Sequence, residues 1–230
     1  MKIKLSSRLA AVASMVLKGS VNADIGTDHG YLPTYLVSQG ICPYAIASDV
    51  SQGPLNAAKD IVELLALEKK IDLRLGDGLK VLSPGEAETI CIAGMGASTI
   101  IKILEGSPDV LIQVKRLVLQ PMRGTSQLRR WLMEHEWKII DEELVLEGGV
   151  FYEIIGAQLG KCCLTEAEIE VGPVLMKKRH PLLKKYLQEK ITSLKCIGSN
   201  MERGNAPGVK RKQSEVNARI SMLKQVMECL

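Results

Sequence analysis

Short apolar runs alternate with helix-like stretches along the first part of the chain, and this alternation limits the possible folds more than any other feature. The apolar runs lie at residues 22–26, 45–50, 71–77, 89–96 and 116–122. The helix-like stretches between them lie at residues 31–39, 53–68, 97–106 and 125–136. Strands that alternate with helices predict a mostly parallel sheet that is covered on both faces.

The alternation stops after the last of these stretches. Two strand-like runs, residues 138–149 and 150–160, meet at Gly148 and Gly149 and leave no room for a helix between them. They predict an antiparallel hairpin beside the parallel strands. Five parallel strands followed by a hairpin resemble the Rossmann-like, seven-stranded sheet of class I S-adenosylmethionine-dependent methyltransferases. The predicted fold class is therefore α/β.

Helical patterns replace strands beyond Gly160. Two stripes of apolar residues have helical spacing: Leu187, Ile191, Leu194 and Met201, interrupted by Gly198, and then Val216, Ile220, Leu223, Met227 and Leu230. Residues 203–208, RGNAPG, separate the stripes, so we predict an antiparallel coiled-coil hairpin. The predicted domains are an α/β domain over residues 1–160 and a helical domain over residues 161–230.

The N-terminal segment permits two interpretations. Its basic residues, its short apolar stretch and the V-N-A before Asp24 mimic a secretion signal. Leu5, Leu9, Val12 and Val16 recur at helical spacing, however, which favours an amphipathic helix laid on the first strand. No segment reaches the roughly 18 apolar residues of a membrane span, so we expect no membrane contact.

The cysteines indicate a reducing compartment. The chain has 6 cysteines with no CxxC pair and no histidine at zinc spacing. We therefore expect a cytoplasmic protein with no disulfide scaffold and no metal. Cys91 lies inside an apolar run and is expected to be a small core residue.

Charge is distributed unevenly along the chain. Residues 161–230 hold 14 Lys+Arg against 7 Asp+Glu, which leaves 16 against 19 for residues 1–160 out of totals of 30 and 26. A basic tail on a mildly acidic body suits a polyanionic partner, although a solvated helix surface would have the same composition. With 1 Phe, 2 Trp and 5 Tyr, the chain is poorly suited to stacking several unpaired bases.

Small or acidic residues stand at the ends of the first four predicted strands. Gly26 follows the first strand, Asp49 ends the second, Asp77 closes the third, and the run AGMG at 93–96 closes the fourth. In an open parallel sheet the ligand lies outside these carboxyl ends, where the strand order reverses. Glycine lets the backbone approach a ligand, and carboxylates accept hydrogen bonds from ribose hydroxyls or from an adenine amino group. Each signal alone is weak, but together they predict a nucleoside-type cofactor.

The first of these turns, IGTDHG, carries Asp28 and His29 where a phosphate-binding loop would have glycine. A pyrophosphate would be repelled by Asp28, whereas the ammonium and sulfonium of S-adenosylmethionine both favour a carboxylate. The turn therefore favours a cationic cofactor. The alternative is that Asp28 caps the helix that begins near Tyr31.

Six segments, in order over residues 5 to about 160, resemble the bacterial tRNA (adenine(22)-N1)-methyltransferase family. They are LSSRLAAVASMV, ADIGTDHGYLP, ASDVSQGPLNAAK, LRLGDGL, IAGMGASTI and LQPMRG. The resemblance implies that the first domain transfers a methyl group from S-adenosyl-L-methionine to N1 of an adenine in the D-arm of tRNA. S-adenosyl-L-homocysteine is then released. AGMG replaces the Asn/Asp-Pro-Pro-aromatic motif of amino-methyltransferases, which fits a ring-nitrogen target but leaves the substrate contacts open.

The strand ends and the resemblance together give the candidate site residues. Those for the cofactor are Asp24, Gly26, Asp28, Asp49, Val50, Asp77, Gly78, Ala93, Gly94, Met95 and Gly96. Those for the substrate are Tyr31, Gln120, Pro121, Met122 and Arg123 near the base, and Lys177, Lys178, Arg179, Lys184 and Lys185 on the tRNA backbone. The candidate catalytic residues are Asp28, which would stabilise the cationic product or take its proton, and His29. His29 has the alternative role of bonding a loop carbonyl.

Two other functions remain compatible with the sequence. The chain could methylate a small molecule or a protein, with the coiled coil serving only to dimerise it. It could also be a non-catalytic RNA-binding protein that lost its cofactor, although the set Gly26, Asp49 and Asp77 argues against this. For the tRNA methyltransferase, we expect a monomer or a weak dimer.

Overall fold

The computed structural model of the protein describes residues 3–202 and 209–230. Its centre is a seven-stranded sheet in the order β3-β2-β1-β4-β5-β7-β6. The strands are β1 Asn22–Ile25, β2 Ala45–Asp49, β3 Ile71–Leu75, β4 Thr89–Gly96, β5 Arg116–Arg123, β6 Trp137–Glu147 and β7 Val150–Leu159. Strands β1 to β5 are parallel, whereas β7 runs antiparallel to both β5 and β6. The predicted α/β fold of five parallel strands and a hairpin is confirmed.

The helices connect the strands and then form the C-terminal part of the chain. They are α1 Ser7–Ser14, α2 Tyr31–Ser38, α3 Gln52–Leu64, α4 Ala97–Glu105, α5 Pro108–Leu111, α6 Thr125–Glu134, α7 Glu166–Val171, α8 Pro173–Lys177, α9 Leu183–Glu202 and α10 Val209–Glu228. A short 3-10 helix, Gly78–Val81, follows β3. Contacts between Cα atoms divide the chain into two compact units, Met1–Cys163 and Leu164–Leu230.

The N-terminal helix α1 lies elsewhere than the sequence suggested. We predicted that it would cover the first strand, but it packs on β6, with further contacts to β5, β7 and α2. Its Val12 is fully buried in a cluster with Val118 of β5 and Ile154 of β7. The predicted position on β1 was wrong because α2 already packs on that strand. The apolar surface left for α1 to cover is at the antiparallel end of the sheet.

A buried ion-pair cluster fixes the terminal hairpin to α6. The guanidinium of Arg129, which has no exposed surface, donates from Nε to Glu142 Oε1 and from Nη2 to Glu153 Oε1, both at 2.7 Å. Glu142 lies on β6 and Glu153 on β7. Since removing one partner of such a buried cluster typically costs about 3–5 kcal/mol, these contacts define where the hairpin sits.

The second unit is a helical hairpin with a buried seam. Leu187, Ile191 and Leu194 of α9 and Leu223 of α10 are buried, as the apolar stripes predicted. Gly198 does not interrupt this seam: a Cβ there would lie 3.2 Å from Gln213 Nε2 and 3.7 Å from Val216 Cγ1, so glycine allows the two helices to approach closely. The side chain of Met201 and the predicted turn at 203–208 lie outside the described residues.

Within this unit, Glu170 ties three helices together. Its Oε1 accepts from Arg219 Nη2 of α10 at 2.6 Å and pairs with Lys190 Nζ of α9 at 3.0 Å, while Glu170 itself belongs to α7. Its carboxylate is largely buried, which strengthens both contacts.

Two features are absent from the described residues. None of their helices has both the length and the apolar character needed to cross a membrane. No three of their His, Cys, Asp or Glu side chains group so as to hold a metal ion. Cys91 is fully buried, as the sequence predicted.

Strand β1 buries one carboxyl group at the centre of the sheet. All four of its residues are buried, because β2 and β4 pair with it on both edges. Asp24 is 5% exposed, and its Oδ2 accepts a hydrogen bond from Thr27 Oγ1 at 2.7 Å. Burial raises the pKa of Asp24 from 3.8 to about 6; the hydrogen bond from Thr27 opposes this shift and the charge of Asp49 adds to it.

This pKa makes the stability of the protein depend on pH in a defined direction. A carboxyl whose pKa is raised on folding binds its proton more tightly in the folded state, so the contribution to stability is complete below pH 3.8 and is lost as pH rises through about 6. By linkage the loss is about 3 kcal/mol. We expect Asp24→Asn, which still accepts from Thr27, to lack this loss in urea unfolding measured between pH 4 and 7. If the free energies of unfolding of the unaltered protein and of Asp24→Asn changed with pH in parallel, the raised pKa could not belong to Asp24.

Candidate active site

The carboxyl ends of the parallel strands enclose a cavity of about 520 Å³. The strand order reverses between β1 and β4, which is where an open α/β sheet binds its ligand. The lining comes from β1, β2, the turn after β3, the end of β4 and helix α4. It includes Gly26, Ser48, Asp49, Val50, Gly76, Asp77, Gly78, Leu79, Met95, Lys102 and Ile103.

Gly26 places its backbone in the wall of this cavity. Its φ is +77°, and its N–H donates to Ser48 O at 2.8 Å, which ties the end of β1 to β2. A Cβ at this position would overlap Met95 Cε. Both the backbone angle and the adjacent side chain therefore require glycine.

The two predicted carboxylates lie in the cavity wall in different states. Asp49 is half-buried, and its Oδ1 accepts from the Ser51 N–H at 2.9 Å. Asp77 is exposed, and its Oδ2 is 2.6 Å from Lys80 Nζ. The hydrogen bond from Lys80 lowers the pKa of Asp77, so this carboxylate is ionised. An adenine amino group would have to share Asp77 with Lys80, a contact that the sequence analysis missed.

A second cavity of about 430 Å³ adjoins the first. Gly26, Asp49 and Met95 line both cavities. The other residues around the second cavity are Arg8, Leu9, Asp24, Thr27, Asp28, Tyr31, Leu32, Ala93, Gly94, Met122 and Tyr152. The site thus has two compartments that meet at the side chain of Met95.

A bulge at the end of β4 places Met95 at this junction. The pairing of β4 with β5 shifts register between Ala93 and Met95, and Gly94 has a φ of +79°. The Gly94 N–H donates to Gln120 Oε1 at 3.1 Å, which holds the bulge against β5. Bulges of this kind change the direction of a side chain at the end of a strand. Gly96, the last residue of β4, is the N-cap of α4.

The turn after β1 brings Asp28 into the wall of the second cavity. Asp28 has a φ of 53°, which is unusual for a residue other than glycine, and its side chain is exposed. Its Oδ1 lies 3.6 Å from His29 Nε2, and the His29 ring lies 5.6 Å from that of Tyr31. The alternative role as a helix cap is wrong: the N-cap of α2 is Gly30, and no side chain caps it. Among the described residues, no hydrogen bond joins His29 to a loop carbonyl, and its Nε2 instead lies near Asp28.

The four candidates at the end of β5 separate into two groups. Met122 is exposed and lines the second cavity. Arg123 is exposed and lies beside Gly96, where a Cβ would be 3.5 Å from its Nε. Gln120 and Pro121 are buried, and Gln120 Nε2 donates to Pro121 O at 3.0 Å. The expectation that Gln120 and Pro121 flank the base is therefore corrected: Gln120 is bonded within the protein.

Sequence reasoning missed Arg8 and Tyr152. Arg8 Nη1 donates to Gln120 Oε1 at 2.7 Å, and its guanidinium carbon lies 5.6 Å from the centre of the Tyr152 ring. In the sequence Arg8 stood out only as a charge before the apolar stretch of the N-terminal helix. Tyr152 stands on the hairpin and carried no signal, since nothing local links it to the strand ends.

The predicted tRNA-backbone residues all lie in the second unit. Lys177, Lys178, Arg179, Lys184 and Lys185 are exposed, at the end of α8, in the connection to α9 and in the first turn of α9. Arg179 has a φ of 45°, and its Nη2 donates to Cys229 O at 3.4 Å. None of the five lines either cavity described above.

Comparisons with known proteins match this architecture. The model of the tRNA (adenine(22)-N(1))-methyltransferase family matches residues 22–225. The tRNA (adenine(22)-N(1))-methyltransferase of Bacillus subtilis (strain 168) is 37% identical over 234 residues, covering 99% of this chain and 98% of that protein.

Solved structures agree with the sequence comparisons. The crystal structure of the B. subtilis M1A22 tRNA methyltransferase has a TM-score of 0.91 at 36% identity, covering 98% of this chain and 100% of that one. A Streptococcus pneumoniae protein crystallised in complex with S-adenosyl-L-methionine has a TM-score of 0.89 at 34% identity, covering 97% and 100%. The family model, the near full-length relative and the fold all agree. The chain therefore belongs to the tRNA (adenine(22)-N(1))-methyltransferase family.

Proposed function

We propose that this chain transfers a methyl group from S-adenosyl-L-methionine to N1 of adenine 22 in the D-arm of tRNA. The observation that carries the proposal is the pair of cavities that share Gly26, Asp49 and Met95. One compartment suits the cofactor and the other the target base, so the reacting atoms would meet at their junction. The relative with this activity in its name, from B. subtilis, aligns over nearly the whole chain.

The first cavity has the features that a nucleoside cofactor needs. Gly26 exposes its backbone in the cavity wall, Asp49 can accept hydrogen bonds from ribose hydroxyls, and Asp77 with Gly78 can contact the adenine edge. S-adenosyl-L-methionine supplies an electrophilic methyl group on a sulfonium. Asp24 lines the adjoining second cavity, not the first, and it is buried without a Lys or Arg partner among the described residues, so it would suit the ammonium group of a cofactor that extends past Gly26.

The second cavity suits an adenine that has left its base pair. Tyr31 is 45% exposed and Met122 is 51% exposed, and both line this cavity, so apolar surface is available to flank a flat base. Adenine N1 has an in-plane lone pair, and holding it in line with the methyl group is the main requirement for reaction. Because N1 lies on the pairing edge, the base must be exposed before it enters.

Asp28 is placed to act on the charge that forms during the reaction. Methylation at N1 leaves a positive charge on the base, and the Asp28 carboxylate lines the cavity that would hold this base. His29 Nε2 lies 3.6 Å from Asp28 Oδ1, so a protonated imidazole there would stabilise that carboxylate. The left-handed backbone at Asp28 is consistent with a position selected for function rather than for local stability.

The two units would divide the work between them. The Met1–Cys163 unit holds both cavities, and the Leu164–Leu230 unit carries the exposed basic cluster, which would grip the tRNA backbone. Burial of Leu187 and Leu223 within one chain removes the need for a partner chain, so we infer a monomer or weak dimer. A tRNA substrate implies that the enzyme works in the cytoplasm.

The direct test is transfer of labelled methyl from S-adenosyl-L-methionine to bulk bacterial tRNA, followed by nucleoside analysis. We expect 1-methyladenosine as the labelled product. Cofactor binding without any transfer to tRNA would favour a small-molecule or protein substrate instead. Absence of cofactor binding would favour a non-catalytic RNA-binding protein.

Gly26→Ala and Gly19→Ala form a matched pair for the cofactor site. The two glycines have φ values of +77° and +78°, so both variants should lose about 1–2 kcal/mol of stability from backbone strain. Only Gly26 has a neighbour where the Cβ would be, whereas nothing lies within 4 Å at Gly19. We expect calorimetry to show S-adenosyl-L-methionine binding weakened by about tenfold or more in Gly26→Ala alone. Equal affinities in the two variants would refute this role.

Asp28→Asn tests the proposed catalytic carboxylate. It keeps the size of the side chain and removes its charge, so we expect kcat to fall roughly a hundredfold, with smaller changes in the affinities for cofactor and tRNA. Asp60→Asn, at an exposed position of α3, is the control and should keep normal turnover. Normal turnover of Asp28→Asn would remove this residue from the chemistry.

Charge reversal tests the basic cluster of the second unit. Lys177→Glu with Lys178→Glu should weaken tRNA binding and lower the salt slope of log K by about 1 to 2, because fewer counterions are released. Lys69→Glu with Lys70→Glu reverses two adjacent exposed lysines elsewhere and should leave the slope nearly unchanged. The measurement is filter binding between 50 and 200 mM salt, a range of about fourfold. Equal slopes for both double variants would exclude the cluster from the tRNA contact.

A further inference from the structure

Arg8 is a cation in the wall of the second cavity whose donors are mostly available to a ligand. It lies in helix α1 and is half-buried. Its Nη1 donates to Gln120 Oε1 at 2.7 Å, and its backbone N–H donates to Glu147 Oε2 at 2.8 Å. Its guanidinium has no other hydrogen-bond partner among the described residues, although it carries further N–H donors in a planar fork.

The surroundings hold this guanidinium in place. Its carbon lies 5.6 Å from the centre of the Tyr152 ring, within the range of a cation–π contact. Gln120, which accepts from Arg8, also accepts from the Gly94 N–H at 3.1 Å, so Arg8 is linked to the bulge beside Met95. A Cβ on Gly94 would lie 3.8 Å from Arg8 Nη1, so the guanidinium reaches the strand ends.

Charge is separated across this cavity. Asp24, Asp28 and Asp49 belong to the ends of β1 and β2, whereas the contacts of Arg8 are with Gln120 of β5 and Tyr152 of β7. In the sheet order, β4 stands between these two groups. Among the described residues that line the cavity, Arg8 is the only cation.

A nucleotide that is methylated at N1 has the same separation of charge. Its base becomes positive as the bond to carbon forms, and its phosphodiesters are negative. If the N1 edge of the base faces Asp28, a phosphodiester of the same nucleotide can lie toward β5 and β7, where Arg8 is held. A planar guanidinium fork matches the geometry of phosphate oxygens better than an ammonium does.

We propose that Arg8, held over Tyr152, binds a phosphodiester that flanks the target adenosine. This inference rests on the proposed tRNA methyltransferase function and adds a substrate contact from the N-terminal helix. Arg8 would place the nucleotide in the cavity, so its loss should act on kcat/KM for tRNA and leave cofactor binding in place.

The test is a double-mutant cycle between Arg8→Gln and a neutral linkage in the substrate. Two synthetic tRNAs carry a single methylphosphonate, one on the 5′ side and one on the 3′ side of the target adenosine. We expect Arg8→Gln to lower kcat/KM on unmodified tRNA by about tenfold. One of the two neutral linkages should cause a similar loss with the unaltered enzyme and no further loss with Arg8→Gln.

The cycle separates phosphate binding from a structural role through Gln120. If Arg8 only held Gln120 and the β4 bulge, the losses from the variant and from either neutral linkage would multiply, and the proposal would be overturned. Arg8→Lys keeps the charge without the fork; we expect an intermediate loss, and it replaces Arg8→Gln in the cycle if the latter unfolds. Calorimetric titration with S-adenosyl-L-methionine should give unchanged affinity for both variants, and a loss equal to that in kcat/KM would also overturn the proposal.

Failure of the inference and failure of the proposed function give different results. If the unaltered enzyme transfers no methyl to unmodified tRNA, the proposed function is wrong and the Arg8 contact falls with it. If 1-methyladenosine forms but the losses multiply at both linkages, only the Arg8 contact is wrong.

Discussion

The parallel pairing of β1 with both β2 and β4 is the constraint on which the rest of the site depends. A central strand with two parallel neighbours is buried along its length, so only its carboxyl end can meet a ligand. At that end Gly26 has no side chain, and its N–H donates a hydrogen bond to Ser48 O. This bond holds the ends of β1 and β2 side by side in the wall of the first cavity. The crossover to β4 then brings Met95 against Gly26, and the two cavities meet there.

The charges at these strand ends also favour a positively charged ligand. The ends of β1 and β2 concentrate three carboxylates, Asp24, Asp28 and Asp49, around the junction of the cavities. Such a cluster would be costly without positive charge nearby, and burial already raises the pKa of Asp24 to about 6. A sulfonium cofactor and a base that becomes cationic would both relieve this repulsion. The same cluster, which includes Asp28 in the turn after β1, disfavours a phosphate-bearing cofactor.

The sequence was sufficient for the parts of the site that come from strand ends. Gly26, Asp49, Asp77 and Met95 each follow an apolar run, and parallel strands must bring such residues to one edge of the sheet. The hairpin and its two glycines were equally clear, because an antiparallel connection needs no helix. Each of these patterns is local in the sequence, and the known geometry of parallel sheets and hairpins predicts which of the residues lie close together.

The missed contacts depend on packing between distant segments. Arg8 and Gln120 are 112 positions apart, and they meet only because α1 lies over the hairpin end of the sheet instead of on β1. Gln120 seemed a ligand because it follows a strand, but its amide is used within the protein. The pairing of Asp77 with Lys80 was missed for another reason: the 3-10 turn that brings them together has no periodic signal.

Our central proposal is that the strand ends form a cofactor site distinct from the basic surface that would bind tRNA. Asp49→Ala tests it directly, because Asp49 is the proposed acceptor for the cofactor's ribose hydroxyls and lies outside the basic cluster. Affinities for S-adenosyl-L-methionine and for tRNA would be measured on the same preparation. We expect cofactor affinity to fall by about tenfold or more while tRNA affinity stays nearly unchanged. Equal losses of both affinities, or unchanged cofactor affinity, would contradict the account.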